Sequence, residues 1–136
     1  MTPAHAAILA HGVDLVEVAR IERLLKEHDA RFIERVFTQG ERDYAEANPA
    51  RRGEILAARF AAKEAVLKAL GTGWSGGIAW TDVEVLRDDA GRPGVKITGE
   101  AARAAKAKFN GQAVTWLVSI SHTAGLAMAS AVATRA

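Results

Sequence analysis

Two runs of alanine restrict what this chain can fold into. Between about Arg51 and Leu70, Ala57, Ala58, Ala61, Ala62, Ala65 and Ala69 stud a segment otherwise rich in Leu, Glu, Lys and Arg, all good helix formers. Near the end of the chain Ala127, Ala129, Ala131 and Ala133 alternate, so a strand over Leu126 to Ala133 turns all four to one side. Small residues on both elements allow a close helix-on-sheet contact. The pairing predicts a single α+β domain over residues 1–136, with helices packed on a largely antiparallel sheet.

The other segments fit that plan. Ile8 to Val13 reads as a first strand that ends at Asp14. Val18, Ile21, Leu24 and Leu25 recur at helical spacing with Arg20, Arg23 and Glu27 off the stripe, giving an amphipathic helix of about three turns. Asp29 can cap a second short helix carrying Phe32, Ile33 and Val36. Thr38 and Glu41 have capping-box spacing for a third, which contains Tyr44 and is broken by Asn48-Pro49. The long helix stops at Gly71, a favoured place for a left-handed cap, and a glycine-rich loop runs on through Gly77. Ile78 to Leu86 reads as a strand, Asp88 to Pro93 as a turn and Val95 to Ile97 as a return strand. Thr98 can cap a helix through Phe109, stopped by Asn110-Gly111, before two last strands, Ala113 to Ser121 and Leu126 to Ala133. No repeat or linker interrupts the chain.

Composition removes several function classes. The formal net charge is only +2, without the dense basic stripe of a nucleic-acid protein. No stretch approaches the roughly 20 apolar residues needed to span a bilayer, and Asp14 interrupts the first apolar segment too early for a signal peptide. There is no cysteine, hence no disulfide framework and no thiolate metal site. A cytoplasmic protein is expected.

Two carboxylates attract attention. Asp14 either caps the helix that follows it or, at a strand end, is placed to hold a hard cation. Glu64 shares a helix face with Lys68, four residues on, and with Phe60 and Leu67. It is either half of a surface ion pair or a carboxylate partly withdrawn from water. Together the two would suit magnesium, which takes one or two protein carboxylates plus waters and substrate phosphates. A nearby Lys and Arg could hold the remaining phosphate charge, so the set points to a phosphate-bearing substrate. Gly71-Thr72-Gly73-Trp74-Ser75-Gly76 formally matches a dinucleotide fingerprint but follows a helix instead of a strand. It is either a helix stop or a set of amides open to a phosphate or pantetheine chain. His122, by alternation, shares a face with Val114, Trp116, Val118 and Ile120, and a lone His there is structural more often than catalytic. His5, His11 and His28 show no ligand spacing together.

Four segments in this order and spacing resemble the holo-acyl-carrier-protein synthases, the small type of 4′-phosphopantetheinyl transferase. They are Gly12-Val13-Asp14-Leu15-Val16-Glu17 with Arg20-Ile21, Phe37-Thr38 with Glu41 and Tyr44, Arg59-Phe60-Ala61-Ala62-Lys63-Glu64-Ala65 with Lys68-Ala69 and Gly71-Thr72-Gly73, and Ser119-Ile120-Ser121-His122. The resemblance runs from about Ile8 to Val132. It implies that Asp14 and Glu64 bind magnesium on the coenzyme A diphosphate and that Lys68 and Arg59 face the phosphates. It places the Gly71 to Gly73 loop and His122 near the bound coenzyme. Arg20 and Arg23 would face an acidic acyl carrier protein, in support of fatty acid biosynthesis, and the chain would assemble as a homotrimer with sites between subunits. Ala10 and His11, where the family pattern has Gly-Ile, and Trp74 after the second loop glycine depart from that pattern. A coenzyme-binding module without catalysis, a protein-docking domain and a phosphohydrolase are the rival readings.

Overall fold

The two alanine runs meet at the centre of the fold. The computed structural model describes residues 7–136; His5 and the side chain of Asp29 lie outside what it describes. In chain order the elements are β1 (Ile8–Glu17), α1 (Val18–Val36), α2 (Gln39–Glu46), α3 (Arg52–Leu70), β2 (Val83–Arg87), β3 (Pro93–Ile97), α4 (Gly99–Lys108), β4 (Val114–Thr123) and β5 (Leu126–Arg135). One antiparallel sheet has the order β1-β5-β4, and β2 and β3 form a separate hairpin. Helix α3 lies on β1 and β5. Ala57, Ala61, Ala62 and Ala65 on the helix and all four β5 alanines are fully buried.

The approach is close at Gly12. A Cβ placed there would sit 2.1 Å from the carbonyl oxygen of Ala65 and 2.7 Å from the amide nitrogen of Ala69. Both are helix backbone, which cannot swing aside as a side chain would. Gly12→Ala is therefore expected to destabilise by about 3 kcal/mol, toward the upper end for overpacking. A lower urea midpoint at unchanged slope would register it.

Four local expectations are corrected. Helix α1 is continuous through position 29, because its apolar stripe stays in phase: Ile21, Leu25, Ile33 and Val36 are all buried on one side. Packing of that stripe outweighs the preference of Asp for a helix start. Strand β1 runs past Asp14 to Glu17, since β5 continues to pair with it, so Asp14 stands opposite Ala129 inside the strand and not at its end. The strand expected from Ile78 starts only at Val83, after a 3₁₀ turn over Trp80–Asp82. The backbone there is engaged by side chains: Lys63 Nζ donates to the carbonyls of Trp80 and Val83, and the Asp82 carboxylate accepts from Ala79 N at 3.1 Å. Asp82 also accepts from Ala101 N in the first turn of α4, a capping role expected of Thr98, whose side chain does not take it.

The capping box at α2 forms as expected, with Thr38 Oγ1 accepting from Glu41 N and Glu41 Oε1 from Thr38 N. Glu41 does more than cap. Its carboxylate pairs with Lys63 Nζ at 2.7 Å with both side chains wholly buried, and its second oxygen accepts from Val85 N at 2.8 Å. One buried ion pair thereby ties α2, α3 and β2 together. Burial pushes the Lys63 ammonium below its ordinary pKa, opposed by the Glu41 charge.

Candidate active site

Gly12, Asp14 and Val16 share a face of β1 by the two-residue period, and Gly12 shows that this face meets α3. Asp14 thus points at the C-terminal half of the helix. Its Oδ1 accepts from Lys68 Nζ at 3.0 Å, with the Asp14 side chain 15% exposed and that of Lys68 55% exposed. Glu64 is half-buried one helical turn before Lys68, on the same face. The structure therefore gathers Asp14, Glu64 and Lys68 along one edge of α3.

The glycine-rich loop starts a turn beyond Lys68. Gly71 is left-handed, with φ 74°, as a helix stop requires. The loop folds back, and Trp74 Nε1 donates to Glu64 Oε1 at 3.3 Å. The Trp74 ring lies 3.7 Å, centroid to centroid, from Trp80, which stacks on Phe60 at 4.7 Å. Arg20, exposed on α1, sits over the other part of this ladder, 5.8 Å from the Phe60 ring centre. Sequence reading missed the tie between Trp74 and Glu64; the tryptophan was visible only as added bulk after Gly73.

Arg59 and His122 meet elsewhere. They line a pocket of about 280 Å³ with Arg51, Glu54, Tyr44 and Arg87. Arg59 is 2% exposed, its guanidinium 4.3 Å above the Tyr44 ring, and Arg87 approaches the same ring at 5.9 Å. Burial first, and then Arg87, hold Arg59 below its ordinary pKa, although Glu41 and Tyr44 oppose the shift. Its buried Nε has no hydrogen-bond acceptor among the described residues. Glu54 Oε1 lies 3.3 Å from His122 Nε2 and 2.7 Å from Arg51 Nη2. With three arginines and a histidine against one glutamate, this pocket is built to take an anion. Arg51, Glu54 and Arg87 carried no signal in the sequence, since nothing local says which strand or loop closes over the start of α3.

The two clusters stand apart within one chain. Asp14, Ala129 and Ile120 form one row across the sheet, and His122 lies two residues further along β4. That places Asp14 and His122 two strand spacings apart, roughly 10 Å, and roughly 7 Å along the strand. Arg20 and Arg23 occupy exposed positions on α1, and Arg23 lines a groove of about 570 Å³ with Lys26, Glu22 and Arg52.

Magnesium fits the first cluster. Among the described residues no group of three or more His, Asp and Glu side chains gathers, so an all-protein cage is absent. Asp14 and Glu64 supply the two carboxylates that magnesium uses when substrate phosphates and waters complete its shell. An ammonium already resting on Asp14 shows that this carboxylate is served by a cation. Among the described residues no helix is long and apolar enough to cross a membrane.

The family profile of the 4'-phosphopantetheinyl transferase superfamily matches residues 10–121, and the chain belongs to that superfamily. Within it, the chain falls among the holo-[acyl-carrier-protein] synthases. The protein of that name from Solibacter usitatus is 46% identical over 90% of this chain and 94% of its own length, and the one from Chloroflexus aggregans 48% identical over 93% and 95%. Among solved structures, the Bacillus anthracis holo-(acyl-carrier-protein) synthase in complex with CoA (3',5'-ADP) superimposes with a TM-score of 0.76 at 35% identity, covering 95% of this chain and 98% of that one. The Neisseria meningitidis enzyme gives 0.80 at 30% identity, covering 94% and 99%. The expected α+β architecture is thereby borne out, as is the family resemblance.

Proposed function

We propose that this chain transfers the 4′-phosphopantetheine group of coenzyme A to a serine of an apo acyl carrier protein, working in the cytoplasm as a magnesium-dependent homotrimer that supports fatty acid biosynthesis. The observation that carries the reading is the junction of Asp14, Glu64 and Lys68 beside a glycine-rich loop, in a chain whose relatives bear the synthase name. Magnesium held by Asp14 and Glu64 would offset the charge of the coenzyme diphosphate and orient it for attack.

The remaining chemistry falls to the chain. The serine oxygen forms a bond to the phosphorus that carries pantetheine, and the bond from that phosphorus to the bridging oxygen breaks. Adenosine 3′,5′-bisphosphate leaves with the bridging oxygen. Lys68, bound to Asp14 by one hydrogen bond and otherwise solvent-facing, can turn to the diphosphate and hold the charge that grows on the leaving group. The Glu64 carboxylate is also placed to take the serine proton, directly or through water. The Gly73 amide lines the path of the pantetheine arm, whereas that of Gly71, expected to be open to the coenzyme, is engaged by the carbonyls of Leu67 and Lys68 at the end of α3. The pocket of Arg59, Arg51 and His122 takes a phosphate of the coenzyme, the buried Arg59 Nε finding its acceptor there.

Two features support the trimer. The outer face of the sheet exposes Val13, Leu15, Leu117 and Met128, and Leu15 pairs directly with Met128. Apolar residues contiguous on a surface mark an interface. A neighbouring subunit could also bring its own Arg59 and His122 pocket up to Asp14 and Glu64, joining the two clusters that one chain keeps apart. Leu117→Arg is expected to convert a trimer into monomers in analytical ultracentrifugation; a wild-type monomer would remove this part of the reading.

Intact mass spectrometry of apo carrier protein incubated with this protein, coenzyme A and magnesium tests the reaction. A gain of one phosphopantetheine group, lost with chelator, is expected; no gain with several carriers would leave a coenzyme-binding module. Arg20 and Arg23 serve carrier capture, and Arg20→Glu is expected to raise KM for the carrier by about 10-fold while coenzyme A affinity stays within about 2-fold, one reversed contact being worth about 1.4 kcal/mol. A loss of coenzyme affinity instead would misplace the docking face.

A further inference from the structure

Trp74 is the one aromatic in the glycine-rich loop, and its position needs a reason. Gly71, Gly73, Gly76 and Gly77 all have positive φ, a backbone with little of its own to hold it in place. Ser75 and Thr72 hydrogen-bond within the loop, and Trp74 is the side chain that ties it back to α3. It stacks on Trp80, Trp80 stacks on Phe60, and Phe60 lies one turn before Glu64 on the same face of α3. The ladder returns to its starting helix, because the Trp74 indole N–H donates to Glu64 Oε1. The group that orients the carboxylate is thus anchored to the helix that carries it.

We infer that Trp74 is a positioning residue for the metal-binding carboxylate, its indole N–H fixing the orientation of Glu64 while the Trp80–Phe60 stack fixes the indole. The inference rests on the proposed role of Glu64 as a metal ligand. An indole N–H is a donor only, so it cannot compete for the cation. By occupying Oε1 it leaves Oε2 for the metal and removes rotamer freedom that a glutamate would otherwise lose on binding. Hydrogen bonds to a ligating carboxylate act in this way at metal sites generally, and their loss costs about 10–100-fold in metal affinity or activity. The same contact ties the loop to the metal site, so the loop that flanks the coenzyme and the carboxylate that holds the cation move as one body.

The test needs no turnover. The chain has three tryptophans, hence three indole N–H signals in a ¹⁵N spectrum, and Trp80→Phe and Trp116→Phe identify that of Trp74 by elimination. Titration of wild type with Mg²⁺ alone should shift the Trp74 indole signal together with the amides around Glu64. Trp74→Phe keeps a ring on the stack and deletes only the donor. It should bind Mg²⁺ about 10-fold more weakly, at the low end for such a donor, with little change in Tm. In metal-free protein, Glu64→Gln should move the Trp74 indole signal, a result that does not depend on the Trp74 variant folding. Mg²⁺ affinity of Trp74→Phe equal to wild type, or a Trp74 signal indifferent to Glu64→Gln, would overturn the positioning role and leave the metal site standing. No Mg²⁺ response at Asp14 and Glu64 in wild type would instead overturn the metal reading, and the inference with it.

Discussion

Asp14→Ala is expected to abolish phosphopantetheine transfer, lowering kcat/KM by at least about 100-fold, the scale of losing a group that stabilises transition-state charge. The fold should survive. Asp14 has one strong partner, Lys68, and that lysine is 55% exposed, so the pair belongs near the surface range of about 0–1 kcal/mol. Tm should therefore fall only slightly, and a folded, inactive protein would separate a metal-binding role from a structural one. The loss should also be insensitive to added coenzyme A, since the Arg59 and His122 pocket is untouched. Retention of activity would refute the magnesium assignment at Asp14. Glu64→Ala should behave alike, though it also releases Trp74 and so loosens the loop.

The largest stability effect is expected at Lys63. Lys63→Met removes the cation from a pair in which both side chains are fully buried, and leaves the Glu41 carboxylate, among the described residues, with two backbone amides, Thr38 N and Val85 N. Breaking one side of such a pair costs about 3–5 kcal/mol. Against a typical domain stability of about 5–15 kcal/mol, that is enough to unfold much of the population at working temperature. Urea denaturation would register it. The double variant Glu41→Leu/Lys63→Met should recover a good part of the loss, because replacing both charges with apolar groups removes the uncompensated carboxylate. A Lys63→Met protein as stable as wild type would mean that water reaches this pair.

Much of this molecule was readable from local spacing. The alternation of Ala127 to Ala133 and the alanines of α3 foretold the central contact, since small side chains at a fixed period can serve no other packing so well. The Thr38–Glu41 box and the Gly71 stop are short-range hydrogen-bond patterns and formed where the residues placed them. Glu64 and Lys68 share a face as helical spacing placed them, but the surface ion pair offered as one reading does not form, since Lys68 pairs with Asp14 and Glu64 accepts from Trp74.

What stayed hidden depended on which element closes over which. Helix α3 is buried in an unbroken run from Ile55 to Lys63, so no polar stripe distinguishes its faces, and nothing local marked Lys63 as a buried charge. One meets Glu41 in the interior and the other meets Asp14 at the edge. Asp82 displaced Thr98 as the cap of α4 only because the turn before β2 carries it there. The gathering of Arg51, Arg87 and His122 around Arg59, and the return of Trp74 to Glu64, likewise join residues far apart in sequence. Local spacing and side-chain type sufficed for the order of most elements, the close helix-on-sheet packing and the carboxylates with the chemistry to bind a cation, whereas the continuity of α1 and the bounds of β1 and β2 came from packing and pairing. That Lys63 is buried against Glu41 while Lys68 stands at the edge beside Asp14 followed from tertiary contacts, because burial and pairing are set by long-range neighbours that no local period encodes.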